Sequence, residues 1–477
     1  MTARSTPEIL WTAEQVAAAT GGQATASFAA TGVSIDSRTL QPGDLFVALE
    51  GPNFDGHAFA AKAFAAGAAA LLLARRPDDL PGGAPLVLVA DVERALNALG
   101  CAARARARAK VIAVTGSVGK TGTKDMLAAA LGAQAKTAAT SGNLNNQWGL
   151  PLTLARLPAD AVYAVIELGM NHPGEILRLT KIARPDIAII TTIAAVHLEN
   201  FESVFEIAEA KAEIFASMAG GTAVLNRDNP YFPVLACIAS GHGVARIVGF
   251  GAHREAQVRL EHCTLGTESS QIAAMIRGRR VDYSLGVPGR HWAINSLAAL
   301  AAVGAAEADV DAAARAMGAF SGLAGRGQRL AVAREGGFDL IDESYNASPT
   351  SMRAAFEVLG RTRPRAGGRR IAVLGDMFEL GPQAEAMHAA LAESILCAGI
   401  DLVFTAGPMM EALSRALPAN VRGAHREDAA ALAPVVSEVV HEGDIVTVKG
   451  SRGMRMERVV AALRGSEAAA HRGQNAL

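Results

Sequence analysis

Short apolar runs alternate with longer helix-like segments through the middle of the chain. The runs that indicate buried strands are Val111–Thr115, Val162–Ile166, Ile187–Thr191 and Thr222–Leu225. Such alternation is typical of a parallel sheet covered by helices. Residues 246–286 follow a different pattern of short alternating apolar and polar segments, so we expect a small antiparallel insert there.

The two ends of the chain carry different patterns. The last block repeats the α/β alternation, with strands predicted at Asp339–Ile341, Ile371–Leu374, Leu402–Thr405 and Ile445–Val448. The first block is mixed, with strands predicted near Val33–Ile35, Leu45–Ala48 and Val87–Val89. The pattern predicts an α/β protein with a mixed N-terminal domain, a central parallel-sheet domain and a Rossmann-like C-terminal domain.

Two breaks in the pattern mark candidate domain boundaries. The Ala/Arg-rich run Ala102–Lys110 reads as a solvated helix that ends before a strand. Near Gly318–Gly327, the apolar pattern is interrupted by Gly322, Gly325 and Gly327. We therefore predict domains over residues 1–108, 109–324 and 325–477, each of an ordinary domain size.

Composition and charge narrow the class of protein. Half of the 477 residues are hydrophobic, which excludes a mainly disordered chain, and 45 basic against 46 acidic side chains give no field that would attract nucleic acid or an anionic membrane. The longest apolar stretch, residues 63–74, is shorter than the ~20 residues that cross a bilayer, and the N-terminus lacks the apolar core of a signal peptide. The four cysteines are widely spaced without a CxxC pair, as in a reducing compartment. We expect a soluble cytoplasmic enzyme.

A phosphate-binding loop follows the strand Val111–Thr115. Its residues are Gly116, Ser117, Val118, Gly119, Lys120 and Thr121. Glycines let backbone N–H groups approach phosphate oxygens, Lys120 can neutralise them, and the Thr121 hydroxyl can bind Mg²⁺. The full GxxxxGK[ST] pattern would need glycine at Val114, so the match is to the shorter GxxGKT form. A glycine turn with an exposed lysine is the alternative.

Two further residues stand where a metal site would form. Glu167 ends the apolar run that begins at Val162, in the position of an acid that binds Mg²⁺ directly or through water. His197 follows the next apolar run and is a candidate second ligand. The alternatives are a solvated acid at a strand end and a structural histidine.

Lys211 stands out because of its position on a predicted helix. Ser203 and Glu206 form a possible capping box, and the helix is predicted to run to about Met218. At 100° per residue, Lys211 lies near the centre of the apolar stripe, whereas the glutamates fall opposite. Burial lowers the pKa of a lysine, and the neutral amine can react with CO₂ to give an anionic carbamate. A lysine whose charge reaches solvent is an equally good interpretation.

These motifs, in this order and spacing, resemble the Mur ligase family over nearly the whole chain. Besides the phosphate-binding loop and Lys211, the segments that carry the resemblance are 36–38, 42–49, 55–57, 141–146, 167–171, 197–199, His291 with Asn295, 342–349, 374–377 and 449–452. The Asn-rich loop and the segment Tyr345-Asn346-Ala347 point to the branch that adds D-alanyl-D-alanine to UDP-MurNAc-tripeptide. Gly122, Glu343 and Ser348 depart from the family's usual Thr, Asp and Asn, and Arg326 lies in an altered Gly-Arg-Gly setting.

The resemblance implies ATP-dependent amide formation through an acyl phosphate, with two Mg²⁺ ions. Lys120 and Arg326 would hold the two anionic reactants together. By the same resemblance, Thr121 and Glu167 serve one ion, and His197 with carbamylated Lys211 serves the other. It implies a monomer with UDP-MurNAc-tripeptide and D-alanyl-D-alanine as its partners, without nucleic acid or membrane insertion.

The remaining site residues also follow from the resemblance. Those expected at ATP are the six residues of the phosphate-binding loop together with Gly122, His291, Asn295, Arg326, Asp342, Tyr345 and Asn346. Those expected at the UDP substrate are Ser37, Arg38, Asp55, Gly56, His57, Asn143, Asn145 and Asn146. Without the family, ordinary turns, a surface ion pair and a structural histidine would explain Ser37 to His57 as well. Lys449 and Arg452 would hold a carboxylate or phosphate, or form a salt bridge at a strand end.

Three other functions compete with this one. A sibling ligase would add a single amino acid to a UDP-muramoyl peptide, or glutamate to folate, and the uridine-type N-terminal block counts against folate. A nucleotide-driven switch of the GTPase type would carry NKxD, yet no Asn here precedes Lys and the nearest fragment is Asn226-Arg227-Asp228. A noncatalytic UDP-sugar binder would not need Lys120 or Glu167.

Overall fold

The computed structural model describes residues 8–333, 337–365 and 367–465. The first residues, on which the expectation of no signal peptide rests, lie outside this range. The described chain forms three main sheets with helices packed against them. It contains no helix that is both long enough and apolar enough to cross a membrane.

The N-terminal region is built on a five-stranded sheet of order β2-β9-β8-β5-β4. Its strands are β1 Trp11–Thr12, β2 Gln23–Ala24, β3 Ala29–Ala30, β4 Gly32–Ser34, β5 Asp44–Val47, β6 Glu50–Gly51, β7 Phe54–Asp55, β8 Ala70–Leu73 and β9 Leu86–Leu88. Its helices are α1 Ala13–Thr20, α2 Ala60–Ala65 and α3 Val92–Arg106, with a 3-10 helix at Gly56–Phe59. The pattern missed β8, which is buried on both faces and continues the apolar stretch after the turn at Gly67.

The central region forms a nine-stranded sheet of order β11-β12-β10-β13-β14-β15-β16-β17-β18. The strands are β10 Lys110–Thr115, β11 Thr137–Ala139, β12 Tyr163–Glu167, β13 Ile187–Ile190, β14 Thr222–Asn226, β15 Arg246–Gly251, β16 Val258–Leu265, β17 Ser270–Ile276 and β18 Arg279–Leu285. The helices are α4 Lys120–Gly132, α5 Gly149–Ala155, α6 Glu175–Ala183, α7 Val204–Ala212, α8 Phe232–Gly241, α9 Arg290–Ala305 and α10 Val310–Ala316, with 3-10 helices at Glu213–Ser217 and Met317–Ala319. The four strands predicted here are all present.

The antiparallel strands predicted within residues 246–286 are present, but they do not form a separate unit. β15 pairs in parallel with β14 and with β16, and β17 and β18 then extend the same sheet through antiparallel pairs. This arrangement covers the edge of β14, which would otherwise expose unpaired backbone groups. Ile272, Ala274 and Val281 pack in the same core as α4 and α9.

The C-terminal region has a six-stranded sheet of order β19-β20-β24-β21-β22-β23, antiparallel only between β19 and β20. The strands are β19 Gln328–Val332, β20 Phe338–Glu343, β21 Arg370–Gly375, β22 Leu402–Ala406, β23 Arg422–Arg426 and β24 Ile445–Lys449. The helices are α11 Pro349–Arg361, α12 Ala384–Ala389, α13 Leu391–Cys397, α14 Met410–Ala416, α15 Ala429–Val439 and α16 Glu457–Leu463, with 3-10 helices at Gly381–Gln383 and Arg452–Met454. The parallel α/β pattern predicted for this block is confirmed.

The helix at the first predicted boundary is not simply solvated. α3 ends at Arg106, whose guanidinium lies 4.0 Å from the Trp11 ring and donates to the Leu10 carbonyl at 2.6 Å. Arg104 donates instead to the Ala183 carbonyl of the central region at 2.9 Å. The expectation of a solvated helix is therefore wrong, because its arginines join two regions of the chain.

Candidate active site

The phosphate-binding loop joins the buried strand β10 to helix α4, as its sequence predicts. The Lys120 ammonium folds back and donates to the Gly116 carbonyl at 2.9 Å. The Ser117 hydroxyl and Ala194 exchange two hydrogen bonds, at 3.0 and 2.9 Å, which tie the loop to the segment after β13. Thr191 donates to the Val118 carbonyl at 2.6 Å. Four residues of the loop are thus held by hydrogen bonds, either within the loop or from the segment that follows β13.

Two glycines in this segment are required by close approach of other side chains. At Gly119 the backbone has φ +85°, and a Cβ built there would lie 2.8 Å from the Asn295 amide nitrogen. At Gly122 a Cβ would lie 2.3 Å from the Trp292 ring. The glycine at 122 therefore makes room for Trp292, which explains why this chain lacks the threonine usual in the pattern.

Glu167 ends β12 with an unusual set of contacts. Its side chain is buried, at 2% exposure, and one carboxylate oxygen accepts from the Asn145 amide at 2.7 Å. The other oxygen, Oε2, is buried and has no hydrogen-bond partner among the residues that the structure describes. A buried carboxylate oxygen without a partner is costly unless a cation satisfies it. This atom is the strongest indication of a metal-binding position.

Lys124, one turn beyond the phosphate-binding loop, is linked to Glu167 through Thr140. Its buried ammonium donates to the Thr140 carbonyl at 2.8 Å and pairs with Asp125 at 2.6 Å. The Thr140 hydroxyl in turn accepts from the backbone amide of Glu167 at 3.0 Å. Burial raises the pKa of Asp125, against the opposing effect of the neighbouring ammonium. Sequence reasoning missed Lys124, although its place one turn after Thr121 in α4 was a signal.

Lys211 points into the protein, as the helical pattern predicts. Its side chain is 1% exposed, and its ammonium forms no hydrogen bond or ion pair within the described ranges. Burial lowers the pKa of Lys211 well below its usual value, and the charge of Lys120 lowers it further. The helix itself is shorter than predicted, since α7 ends at Ala212 and continues as a 3-10 helix. Ser203 caps it, but Glu206 bonds the amide of residue 202 instead of completing the capping box.

The charges of Glu167 and Arg326 act on Lys120. Burial lowers the pKa of Lys120, Glu167 opposes this effect, and Arg326 adds to it. The Arg326 guanidinium stacks over the Tyr345 ring, with 3.9 Å between Cζ and the ring centroid. The structure thus places a residue that precedes the C-terminal sheet near the phosphate-binding loop.

His197 is held by the C-terminal region. Its Nδ1 forms a hydrogen bond with the Glu379 carboxylate, and the Glu199 amide donates to the Glu379 carbonyl at 3.3 Å. No hydrogen bond or ion pair joins His197 to Lys211 in the part of the chain that the structure describes. The predicted pairing of His197 with Lys211 at a metal therefore stays a prediction. Glu379 was missed, although it stands two residues after the segment 374–377 that the sequence singled out.

The carboxyl ends of β20 and β24 lie next to each other. Asp342 accepts from the Gly325 amide at 3.1 Å and from the Ser344 hydroxyl at 2.6 Å, so it holds the segment before β19. Lys449 donates to Glu343 and to the Asn346 carbonyl, each at 3.0 Å, which confirms the salt bridge at a strand end.

The other residues of this edge have local partners. The Asn346 amide oxygen accepts from the following backbone amide at 2.9 Å. Ser348 caps α11 in a reciprocal pair with Ser351, which gives its hydroxyl a structural role. Arg452 donates to the Tyr345 hydroxyl at 3.2 Å, so Tyr345 contacts two arginines. Arg326 precedes β19 in the chain, and Arg452 follows β24.

His291 and Asn295 lie on the first turns of α9, beside the phosphate-binding loop. Burial lowers the pKa of His291, opposed by the charge of Glu343. The His291 ring lies 5.4 Å from the Trp292 ring between centroids, and Trp292 is also the ring that covers Gly122. Asn295 packs its amide against Gly119. Asn295 therefore borders the loop directly, whereas His291 lies behind Trp292.

Comparison with known proteins decides the family. The chain matches the Mur ligase family, catalytic domain, over residues 29–107; the Mur ligase middle domain over 114–303; and the Mur ligase, glutamate ligase domain over 325–452. This chain belongs to the Mur ligase family. Among its relatives, the UDP-N-acetylmuramoyl-tripeptide–D-alanyl-D-alanine ligase of Escherichia coli K12 is 39% identical over 435 residues, 90% of this chain and 93% of that protein. The ligase of the same name from Bacillus subtilis 168 is 36% identical and covers 90% and 92%.

Solved structures agree with this membership of the Mur ligase family. A crystal structure of MurF from Acinetobacter baumannii superposes with a TM-score of 0.84 at 30% identity, over 97% of this chain and all of that one. MurF from Thermotoga maritima, solved in complex with ADP, gives a TM-score of 0.75 at 27% identity over 91% and 97%. The three-domain α/β architecture is therefore that of MurF structures.

In this Mur ligase, the predicted UDP-substrate residues of the N-terminal region have local partners. Arg38 pairs with Asp36, at 2.7 Å, in a turn. Asp55 accepts from the His57 amide at 2.9 Å and from its Nδ1 at 2.7 Å, while Nε2 of His57 accepts from the Ala74 amide at 2.9 Å. Both ring nitrogens of this buried histidine therefore form hydrogen bonds within the N-terminal region, as expected of a structural histidine.

The remaining residues expected at the UDP substrate differ in the contacts that they make. Gly56 is required by the backbone, since a Cβ there would lie 2.5 Å from the Leu49 carbonyl oxygen. Asn146 accepts from the amides of residues 148 and 149 and so shapes the loop before α5. Ser37 and Asn143 make no side-chain hydrogen bond within the described residues. Asn145 is the one that the structure brings to Glu167.

Proposed function

We propose that this Mur ligase joins D-alanyl-D-alanine to UDP-MurNAc-tripeptide at the expense of ATP. The observation that carries the proposal is the grouping of the buried Glu167 and Lys211 with the half-buried Lys120 beside the phosphate-binding loop. It occurs in a chain that covers more than nine-tenths of relatives bearing that ligase's name. A binder without catalysis would not need this costly arrangement of buried charges.

The proposed reaction proceeds in two steps. The terminal carboxylate of the tripeptide attacks the γ-phosphorus of ATP, and the bond to the bridging oxygen breaks to give an acyl phosphate and ADP. The amine of D-alanyl-D-alanine then attacks the acyl carbon, loses a proton, and the tetrahedral intermediate expels inorganic phosphate. Phosphorylation is needed because a free carboxylate has no adequate leaving group. The product is the UDP-MurNAc-pentapeptide used in peptidoglycan synthesis.

The cations of the chain make the first step feasible. Two anions must meet, and their repulsion is reduced where fixed positive charges lie between them. Lys120 lies at the start of α4 and Arg326 acts on it electrostatically, so both are suited to hold the carboxylate and the γ-phosphate together. The rigid stacking of Arg326 on Tyr345 limits the reorganisation that the guanidinium needs.

The donor set fits a divalent cation at Glu167. Among the described residues, the buried Glu167 Oε2 atom lacks a hydrogen-bond partner, and the Thr121 hydroxyl at the start of α4 makes no hydrogen bond. We propose that Thr121 and Glu167 hold one Mg²⁺, and that His197 with carbamylated Lys211 holds a second. Bound Mg²⁺ would neutralise phosphate oxygens and polarise the transferred group. Within the described residues, no three His, Cys, Asp or Glu side chains form a metal-binding group. A carbamate on Lys211 would add an anionic oxygen ligand beside His197.

The environment of Lys211 suits carbamylation. A buried amine with a lowered pKa carries a lone pair that can attack CO₂, with loss of one proton. The product is an anion, which the charge of Lys120 would stabilise. The carbamate thus turns an unfavourable lysine–lysine contact into an attractive one.

The roles of the domains complete the proposal. We propose that residues 1–108 bind the UDP part of the substrate, that 109–324 bind ATP, and that 325–477 close the site. His291, Asn295, Asp342, Tyr345 and Asn346 are proposed to surround the nucleotide. The protein is proposed to act in the cytoplasm, because MurF enzymes work on cytoplasmic precursors. It is further proposed to act as a monomer, without nucleic acid or membrane insertion.

Phosphate release tests this function. We expect release from ATP that requires both UDP-MurNAc-tripeptide and D-alanyl-D-alanine, with equal amounts of phosphate and pentapeptide product. Release with a single amino acid in place of the dipeptide would indicate a sibling ligase. Release that needs neither substrate would indicate a nucleotide-driven switch, and binding without release would indicate a UDP-sugar binder.

A further inference from the structure

A contact between His197 and Glu379 connects two regions that are 182 residues apart in the chain. His197 follows β13 in the central sheet, and Glu379 follows β21 in the C-terminal sheet. The hydrogen bond uses Nδ1 of the imidazole. When His197 is neutral, a proton on Nδ1 leaves the lone pair on Nε2. The carboxylate therefore fixes which nitrogen remains available to the site.

The backbones of the two residues are shaped for this contact. His197 has φ +57° and Glu379 has φ +63°, conformations that residues with a Cβ rarely adopt. The Glu199 amide also donates to the Glu379 carbonyl, at 3.3 Å. Gly381, with φ +65°, follows on the C-terminal side and faces the Leu198 carbonyl. Two turns thus meet through a side chain and through backbone atoms.

The C-terminal turn is firmly held by its own domain. The Met377 amide donates to Nε2 of the buried His388 at 2.9 Å, and the Phe378 amide donates to the Ser451 hydroxyl at 2.8 Å. Asp376, just before them, accepts from the Met410 amide at 2.7 Å. Because three successive residues are anchored, the position of Glu379 follows the position of the whole C-terminal domain.

We propose that Glu379 is a positioning residue that docks the C-terminal domain on the central domain through His197. The imidazole then takes its working orientation only while the two domains are in contact. This arrangement couples the position of the C-terminal domain to the site beside the phosphate-binding loop. The docking role stands on these contacts alone, whereas its effect on catalysis rests on the proposed function.

Two structural measurements test the docking role in the full-length protein. Small-angle scattering is recorded for the wild type, Glu379→Ala and the control Glu385→Ala, without ligands and with Mg²⁺ and a nonhydrolysable ATP analogue. Glu385 is an exposed acid of the same segment that forms no ion pair within the described residues. We expect a larger radius of gyration for Glu379→Ala only, together with faster hydrogen–deuterium exchange at the Glu199 amide.

Kinetics and a conservative variant separate positioning from general damage. Loss of a residue that orients a site histidine typically costs 10–100-fold, so we expect kcat of Glu379→Ala to fall about 10–100-fold with a smaller change in KM for ATP. Glu379→Gln keeps an acceptor oxygen and should restore most of the docking and part of the rate. If Glu379→Ala does not fold, the same measurements on Glu379→Gln test the docking role.

Specific outcomes would overturn the docking role. Unchanged scattering and exchange in Glu379→Ala under both conditions would do so, and so would an equal change in Glu385→Ala. These measurements need no turnover. Failure of the wild type to release phosphate would therefore count against the proposed function and leave the docking result standing.

Discussion

The Asn145 amide holds one oxygen of Glu167 at 2.7 Å, and the other oxygen is buried without a partner in the described part of the chain. An oriented carboxylate with one free oxygen is prepared for a cation and costly without it. Asn145 therefore acts on the proposed metal position through Glu167.

Replacing Asn145 tests this relationship. We expect Asn145→Ala to lower kcat/KM about 10–100-fold and to raise the Mg²⁺ concentration needed for half-maximal rate, since the carboxylate loses its orientation. Gln147→Ala changes an exposed amide of the same loop and should match the wild type. A titration of rate against Mg²⁺ decides the matter, and identical curves for all three proteins would contradict the role of Asn145.

Lys211 offers a second test. We expect Lys211→Ala to lose most activity because the carbamate is absent, and short carboxylates such as formate or acetate to restore part of it. Lys181 is a matched control, because it is an exposed lysine on a neighbouring helix, and Lys181→Ala should keep full activity. Rates measured with and without added carboxylate give the answer. An unrescued variant with full activity would rule out the carbamate.

The two ends of α4 predict opposite effects of the same substitution. Gly122→Ala would bring a Cβ to 2.3 Å from Trp292, and we expect a loss of about 1–3 kcal/mol in the free energy of unfolding, as in overpacked cores. Gly132→Ala meets no atom within 4 Å and should stabilise the protein by about 0.4–1 kcal/mol. Denaturant titration of both variants measures the difference. Equal effects of the two changes would contradict the close approach of Trp292.

The buried acid Asp444 predicts a pH dependence of stability. It is 1% exposed and pairs with Arg369 at 2.7 Å; burial alone would raise its pKa, but hydrogen bonds from Arg369 and the His441 amide outweigh burial and lower it. A lowered folded pKa contributes stability that is present above the unfolded value and is lost as pH falls through the folded value. We expect Asp444→Asn to remove that contribution at pH 7 and to flatten the loss of stability below about pH 4.

The exposed pair Asp282 and Arg280 provides the control for Asp444. Both side chains are largely open to solvent, so Asp282→Asn should leave the unfolding curve unchanged at pH 7. Thermal unfolding between pH 3 and pH 8 compares the two variants with the wild type. A curve for Asp444→Asn parallel to the wild type at every pH would show that the carboxylate contributes no pH-dependent stability.

Local pattern determined a large part of this protein. The phosphate-binding loop, the parallel strands and the inward direction of Lys211 follow from glycine placement, apolar runs and helical periodicity, each set by neighbours in the chain. The predicted strands differ from the observed ones by one or two residues at their ends. β8 was missed because a strand buried on both faces has no alternation to distinguish it from the helix before it.

Only the tertiary structure decided which polar side chains are hydrogen-bonded to other residues of the chain and which remain available for ligands. The sequence could not show that His57 is held at both nitrogens, that Asn145 contacts Glu167, or that His197 is held by Glu379. These partners lie between 2 and 182 residues apart, and the distances between them follow from how sheets and domains pack, not from periodicity. A side chain's type states what it can bind, whereas its partner in the folded chain determines what it does bind.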